Sequence, residues 1–375
     1  MQFLQELPTL TLILLIVFLI SFLIQIFYYW FFYSRLAFYK SRPGSDTLQP
    51  VSVVIASHND GIKLKRNLPA ILTQDYPDFE VIVVNDASDD NTEEVLTAYS
   101  QQYPRLKAVH IKQSVIFFRS KKFPLSVGIK SAKNEILLLT DADCYPASDQ
   151  WIREMQAAYD KNSEIILGFS PYEKQPGLLN LLIRFDTFQI ATLYFSFALA
   201  RLPYMGVGRN LSYKKSLFFR HNGFISHYKI QSGDDDLFIK SAATKTNTRI
   251  RIIEEAHVIS EPKKTFKAWI RQKRRHFSTG SYYKPLKKNL LGLQALSGLL
   301  YYCSLITLIC FKIFLPVILG IHGFRLLNRI ILLGFCSKKL NQGYLFLFSP
   351  VSDPFFTFFN PLLVLWGMAF KIKRW

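Results

Sequence analysis

The chain has 375 residues, half of them hydrophobic and 33 of them Phe, yet 19% are charged and the formal net charge is +19. That mixture excludes both a wholly soluble small domain and a wholly embedded bundle, and it fits a sizeable soluble domain fused to membrane segments. Four cysteines, Cys144, Cys303, Cys310 and Cys336, with no CxxC spacing among them, leave no basis for a disulfide framework or a zinc pattern.

Leu10 to Phe32 is almost uncharged and long enough to cross a bilayer core. Its start carries Glu6 and no Lys or Arg, and Tyr28, Tyr29 and Trp30 close it as an aromatic belt would. An anchor is expected here rather than a cleaved signal peptide. Arg35, Lys40 and Arg42 follow, which puts the N-terminus outside and the next domain in the cytoplasm. Arg42 to Asp46 reads as a linker.

From Val51 apolar strands alternate with helical stretches. The strands expected are Val51–Ala56, Glu80–Val84, Leu106–Ile111, Ile136–Thr140 and Glu164–Gly168; the helices between them are Lys63–Gln74, Thr92–Gln102, Pro124–Lys133 and Asp149–Lys161. Such alternation implies an α/β fold with parallel strands and right-handed crossovers. Leu178 to Ala200 is apolar and aromatic but broken by Arg184, Asp186 and Gln189, and reads as an amphipathic helix lying on a membrane surface. Ile250–Ile253 and His257–Ile259 are late strand candidates.

From Lys263 to Lys288 there are ten Lys or Arg and no acid, directly before an apolar tail. Anionic lipid headgroups explain such a run beside membrane segments better than nucleic acid does. In the tail Leu290–Cys310 should span. Ile313–Phe335 carries His322, Arg325 and Arg329, and Leu345–Phe370 carries Pro350, Asp353, Pro354 and Pro361, so the latter reads as a bent span or a re-entrant pair. The terminal Lys371–Trp375 looks cytoplasmic. The expected organisation is an anchor and linker over 1–45, a main domain over 46–262, a basic juxtamembrane segment over 263–289 and a membrane region over 290–375.

Chemistry concentrates at three strand ends. Ile136 to Leu139 is a continuous apolar run, as a strand buried on both faces would be, and delivers Asp141 and Asp143 to its C-terminal end. Ligands bind beyond such ends in open α/β sheets, and two carboxylates there suit a hard divalent cation shared with substrate phosphates. Val51–Asp60 and Val81–Asp90 repeat the design, each ending in small and polar residues able to hold a nucleobase and ribose. Asp89, Asp90 or Asn91 could equally cap the helix that starts near Thr92. Cys144 reads as packing.

At this point the chain resembles the inverting family 2 glycosyltransferases, membrane-bound relatives of cellulose and hyaluronan synthases, over about Val51 to Gly280. Ser57-His-Asn-Asp60 stands where that family has its first nucleotide loop. Asn85-Asp86-Ala-Ser88-Asp-Asp-Asn-Thr92 looks like its uracil- and ribose-binding loop, with Asp86 as the matching acid. Lys121 to Lys133 resembles the Lys-bearing helix before the metal motif, and Asp141-Ala-Asp143 matches the metal-binding pair. Gly206-Val-Gly208-Arg209-Asn210 resembles the loop lining the acceptor side. Ser232-Gly-Asp234-Asp235-Asp236-Leu237 looks like the acidic motif carrying the general base. Gln272-Lys-Arg-Arg275-His276 resembles the Gln-x-x-Arg-Trp motif, with His276 in place of Trp.

The resemblance implies a nucleotide-diphospho-sugar transferase domain of GT-A type, with a mainly parallel sheet and transmembrane helices at both ends. It implies donor contacts from Ser57, Asn59, Asp86, Ser88, Lys122 and Asp141, and Mg2+ or Mn2+ on Asp141 and Asp143. Asp235 serves as base when the motif is aligned through Gly233, or Asp234 when it is aligned through Asp236-Leu237; Gln272 and Arg275 join the site. The implied activity is transfer from a nucleoside diphosphate sugar, UDP-sugar favoured, to a lipid-linked or saccharide acceptor at the plasma or inner membrane. The alternatives are a processive polysaccharide synthase with a translocation channel, which His276 and the short irregular tail disfavour, and a non-catalytic membrane scaffold, which should have lost a key acid. No nucleic-acid partner is expected.

Overall fold

The computed structural model describes residues 8–41, 44, 47–112, 120–230 and 232–369. The chain divides into two compact units, one of Lys40–Tyr283 and one combining the N-terminal helix with the chain from Lys284 to Ala369. Apart from Gly44, the expected linker Arg42–Asp46 lies outside the described residues, as does Lys371–Trp375.

Helix α1, Thr9–Phe27, runs on through a π-helical Tyr28–Tyr33 and Ser34–Ala37. Strand β1 (Val51–Ser57) is buried along its whole length, and β2 (Phe79–Asp86) nearly so. Helix α2 (Gly61–Leu72) connects them; α3 (Thr92–Gln102) leads to the edge strand β3 (Leu106–Ile111). Helix α4 (Lys122–Ser131) precedes β4 (Ile136–Asp141). These four strands pair in parallel in the order β3-β2-β1-β4. Continuous Val/Ile/Leu runs specify such strands because helices cover both faces and no polar alternation is needed.

Beyond β4 the sheet changes character. Short β5 (Cys144–Pro146) leaves it, and after α5 (Trp151–Ala157) come β6 (Ile165–Gly168), helix α6 (Leu178–Leu199) and β7 (Leu211–Lys214). Strand β7 lies antiparallel between β4 and β6. After α7 (Lys215–Arg220) and α8 (Asp236–Ala242), β8 (Thr248–Arg251) pairs parallel with β6, closing the order β3-β2-β1-β4-β7-β6-β8. The sheet is therefore mostly parallel with one reversed strand. Strand β9 (Val258–Ser260) pairs with β5, and α9 (Phe266–Phe277) completes the unit. The segment 263–283 clusters with the α/β unit, and the chain from Lys284 with the other.

Helix α6 departs from the surface-lying reading. From Leu179 to Ala200 no residue is exposed. Its carboxylate Asp186 accepts from the Lys273 ammonium of α9 at 2.6 Å, both side chains under a tenth exposed. Of the three polar interruptions, Asp186 meets its partner inside the protein.

The remaining helices are α10 (Pro285–Cys310), α11 (Leu315–Lys339) and α12 (Ser349–Ala369). Among the described residues, three helical segments are long and apolar enough to cross a membrane: Thr9–Ala37, Pro285–Cys310 and Leu315–Lys339. The last, Pro-containing stretch is one helix with Pro354 and Pro361 inside it, not a re-entrant pair. The charges that interrupt the tail find one another. Asp353 of α12 takes Arg325 at 2.9 Å and Arg329 at 3.0 Å from α11, and the Tyr302 hydroxyl of α10 at 2.8 Å. Arg325 also donates to Gln25 of α1 at 3.2 Å. One carboxylate so ties the bundle together where unpaired charge would be costly.

Candidate active site

Register brings the predicted strand ends together. Ser57 pairs with Asn85, and Ala56 with Asp141, so the C-terminal ends of β2, β1 and β4 lie side by side, neighbouring strands being about 4.8 Å apart. The two expected nucleotide loops are stitched across this edge. The Asn59 amide donates to the Ser88 hydroxyl at 2.9 Å, and the Asp89 amide donates back to Asn59 Oδ1 at 2.8 Å. His58 Nδ1 meets the Asp86 carbonyl at 2.6 Å. Asn59 and Ser88 therefore hold the loops in register, while Ser57 is buried with a hydroxyl that has no partner among the described residues, and Asp86 ends β2. The capping role falls to Asp90, which accepts from Thr92 N and Gly61 N at 3.0 Å each.

Asp141, Asp143 and Cys144 bring their ligand atoms within 4.8 Å of one another just past β4. Asp141 is already paired, to the ammonium of Lys121. Burial alone would raise the Asp141 pKa, but Lys121, then Arg209 and Arg275, hold it below the ordinary carboxylate range. The same carboxylates, Asp141 first and then Asp234 and Asp143, raise the Lys121 pKa against the opposing effect of burial. The Cys144 thiol donates to Asp143 Oδ1 at 3.4 Å and is a soft donor. Oxygen donors from Asp143, with Asp141 beside it, fit a hard divalent ion.

Lys122 does not reach this corner. Its side chain is fully buried and its ammonium donates to the carbonyls of His227 at 2.9 Å, Ser232 at 2.7 Å and Ile230. The lysine that meets Asp141 is Lys121, because consecutive residues at a helix start point in different directions.

The acidic triplet sits at the start of α8. Gly233 has φ +95°, and a Cβ there would stand 2.5 Å from the Leu237 side chain, so the turn requires glycine. Asp236 is buried and accepts from the hydroxyls of Thr279 and of Tyr283, the latter at 2.9 Å. Asp235 accepts from Asp236 N at 2.7 Å and from Gly208 N at 2.9 Å, one bond to each carboxylate oxygen. Burial, then the charges of Asp234 and Asp236, push its pKa up to about 7. Asp234 is half-buried, and its charge acts on both Lys121 and Lys122.

Gln272 does not enter the cluster directly. Its amide donates to the Tyr172 hydroxyl at 3.0 Å, and the Arg209 guanidinium lies 4.3 Å from the centre of the Tyr172 ring. Gln272 thus supports the platform under Arg209, while Arg275 acts on Asp141 through its charge. His276 is exposed and stacks on none of the described residues. Arg209 is the residue the sequence reading left without a role. Its Nη1 is buried without a hydrogen-bond partner among the described residues. A permanently charged side chain in a loop of small residues was the available signal.

A parallel sheet whose strand ends collect a metal-type carboxylate pair, cations and a second acidic cluster defines a nucleotide-sugar transferase fold of GT-A type. Residues 52–225 match the Glycosyl transferase family 2 model, and the chain carries a domain of that family. It is 27% identical over 270 residues to the probable glycosyltransferase YdaM of Bacillus subtilis, covering 66% of this chain and 59% of that protein. It is 30% identical over 120 residues to the poly-beta-1,6-N-acetyl-D-glucosamine synthase of Staphylococcus epidermidis, covering 31% of this chain and 27% of the synthase. The chain thus spans less than two thirds of the length of either relative. Among solved structures, the mannosyltransferase PcManGT from Pyrobaculum calidifontis, in complex with GDP-Man and Mn2+, shares the fold. Its TM-score is 0.59 at 18% identity, covering 88% of this chain and 98% of that one.

Proposed function

We propose that the protein is a membrane-bound inverting glycosyltransferase that moves a sugar from a nucleoside diphosphate sugar, UDP-sugar favoured, to a lipid-linked or saccharide acceptor. The observation that carries this reading is one shared corner of charge. Lys121 pairs with Asp141 and acts on both Asp143 and Asp234, so the metal-type acids and the base-type acids flank the same cation. Asp143, with Asp141 beside it, would hold Mg2+ or Mn2+, which when bound supplies positive charge to a diphosphate leaving group. Lys121, Arg209 and Arg275 add fixed positive charge at the same place, where the leaving group gains negative charge. Asp86, Ser57 and the clasped loops at 59 and 88 would hold the nucleoside.

In the transfer step the acceptor hydroxyl gives its proton to a carboxylate of the triplet as its oxygen bonds to the anomeric carbon. The bond from that carbon to the phosphate oxygen breaks, its electron pair leaving with the diphosphate, and attack from the opposite face inverts the centre. Asp235 is the base in this reading: its oxygens are oriented by two backbone N–H groups and its pKa of about 7 suits proton uptake near neutrality. Asp234 is the alternative one residue away.

Arg35 and Lys40 follow the first apolar helix, and Lys284, Lys287 and Lys288 flank the second. By the positive-inside rule the transferase domain faces the cytoplasm, beside anionic headgroups.

The test is a screen of UDP- and GDP-sugars with MnCl2 or MgCl2 on purified protein. Asp143→Asn should abolish divalent-dependent donor hydrolysis and transfer. Asp235→Asn should keep nucleotide binding and lose transfer by roughly 100-fold or more, the scale of a lost general base. Full transfer by Asp143→Asn would remove the metal role, and retained activity in Asp235→Asn with loss in Asp234→Asn would move the base.

A further inference from the structure

Two adjacent lysines at the start of α4 do different work. Lys121 reaches Asp141; Lys122 turns inward, has no exposed surface, and spends all three of its ammonium hydrogens on the carbonyls of His227, Ile230 and Ser232. Those carbonyls belong to the stretch that leads into Gly233 and the Asp234–Asp236 triplet. Helix α4 is itself seated firmly on the sheet: a Cβ on Gly128 would stand 2.6 Å from Val54 and 3.1 Å from Val84. The ammonium therefore connects a fixed platform under β1 and β2 to a turn that regular secondary structure does not hold.

Resting on the transferase reading above, we propose that Lys122 is a positioning residue: it sets the acidic turn against the donor corner and makes no contact with the nucleotide sugar. A buried ammonium is costly unless its hydrogens are satisfied and opposite charge is near. The three carbonyls take its hydrogens, and although burial lowers its pKa to about 8, the charges of Asp234, Asp236 and Asp235 oppose that shift. The arrangement is reciprocal. Lys122 organises the turn that carries the acids, and the acids work against the burial that disfavours its charge. A residue that served packing alone would be apolar, and one that served the diphosphate would have hydrogens to spare.

The experiment compares Lys122→Met, Lys122→Gln and Lys122→Arg with wild type in the full-length purified protein. Binding of UDP and of GDP, each with MnCl2, is measured by calorimetry, and turnover is measured with whichever nucleotide sugar the wild type consumes. Lys122→Met should bind nucleotide within about threefold of wild type while transfer falls roughly 100-fold, as for a misplaced general base. Lys122→Gln or Lys122→Arg, which restore donors, should recover part of the rate. Equal losses of nucleotide binding and transfer would overturn the proposal, because Lys122 would then be a donor contact. Unchanged transfer in Lys122→Met would overturn it as well. So would failure of all three variants to fold, which would make the lysine a scaffold residue. A wild type that binds nucleotide and transfers nothing sinks the transferase reading itself, and that outcome is separable from the others.

Discussion

Asp235 illustrates how three consecutive acids become unequal. Asp236 lies in a buried cup of hydroxyls, where burial raises its pKa, and Asp234 is half-buried with its charge acting on Lys121 and Lys122. Asp235 is turned by the amides of Gly208 and Asp236 into a place where burial and its neighbours' charges raise its pKa to about 7. The groups acting on it are Asp234, Asp236, those two amides and the Lys122 ammonium. A raised carboxyl pKa means the base form is lost as pH falls through that value. The rate of the chemical step should therefore fall about tenfold per pH unit below about 7 and flatten above it. A flat single-turnover rate from pH 5 to 8 would remove Asp235 from this role. At this scale the sequence disclosed residue types with few chemical options: paired Asp at a strand end, Asp in a triplet, Gln and Arg three apart. It could not choose between Lys121 and Lys122, because the direction of a side chain at a helix start depends on where the helix begins. Nor could it show that Asn59 and Ser88 clasp each other, a contact between residues far apart in sequence.

Elements were legible where burial was uniform and long. The apolar runs of β1, β2 and β4 specify a parallel sheet covered on both faces, whereas β7, only Leu211–Lys214, offers no periodicity and appears only through its antiparallel pairing with β4 and β6. Helix α6 was legible as a helix but misleading in its surroundings, because charges inside an apolar run read equally as a wet face and as a buried pair. The Asp186–Lys273 pair decides the matter, at 2.6 Å with both groups largely hidden from solvent. Lys273 is further enclosed by the rings of Trp269 and Phe277, at 5.6 and 5.0 Å. Removing one partner of such a pair strands the other charge. Asp186→Ala should thus destabilise the α/β unit by about 3–5 kcal/mol. The double variant Asp186→Leu/Lys273→Met should regain most of that loss, since apolar replacements leave no charge behind. Denaturant melts of the two variants check this. Equal instability in the double variant would assign the effect to shape rather than charge.

For the whole molecule the ordering of parts constrains topology. Lys40 to Tyr283 is one compact unit, so in the proposed membrane arrangement it would stay on one side of a bilayer. If the candidate spans Thr9–Ala37 and Pro285–Cys310 cross the bilayer as proposed, the end at Ala37 and the end at Pro285 would both face that side. Arg35 and Lys40 lie at the first of these ends and Lys284, Lys287 and Lys288 at the second. Two independent clusters of positive charge therefore favour the same side, and the rule that counts Lys and Arg near span ends supports the proposed cytoplasmic orientation. Fusions in a bacterial host distinguish the orientations. Alkaline phosphatase joined ahead of Thr9 should be active outside, and β-galactosidase joined after Tyr283 should be active inside. Replacing Arg35, Lys40, Lys284, Lys287 and Lys288 with Gln should weaken that bias and give mixed reporter signals, whereas replacing either cluster alone should leave the orientation intact because the other still holds it. Phosphatase activity from the fusion after Tyr283 in the unaltered chain would reverse the proposed orientation and place the nucleotide-sugar site away from its cytoplasmic donor pool.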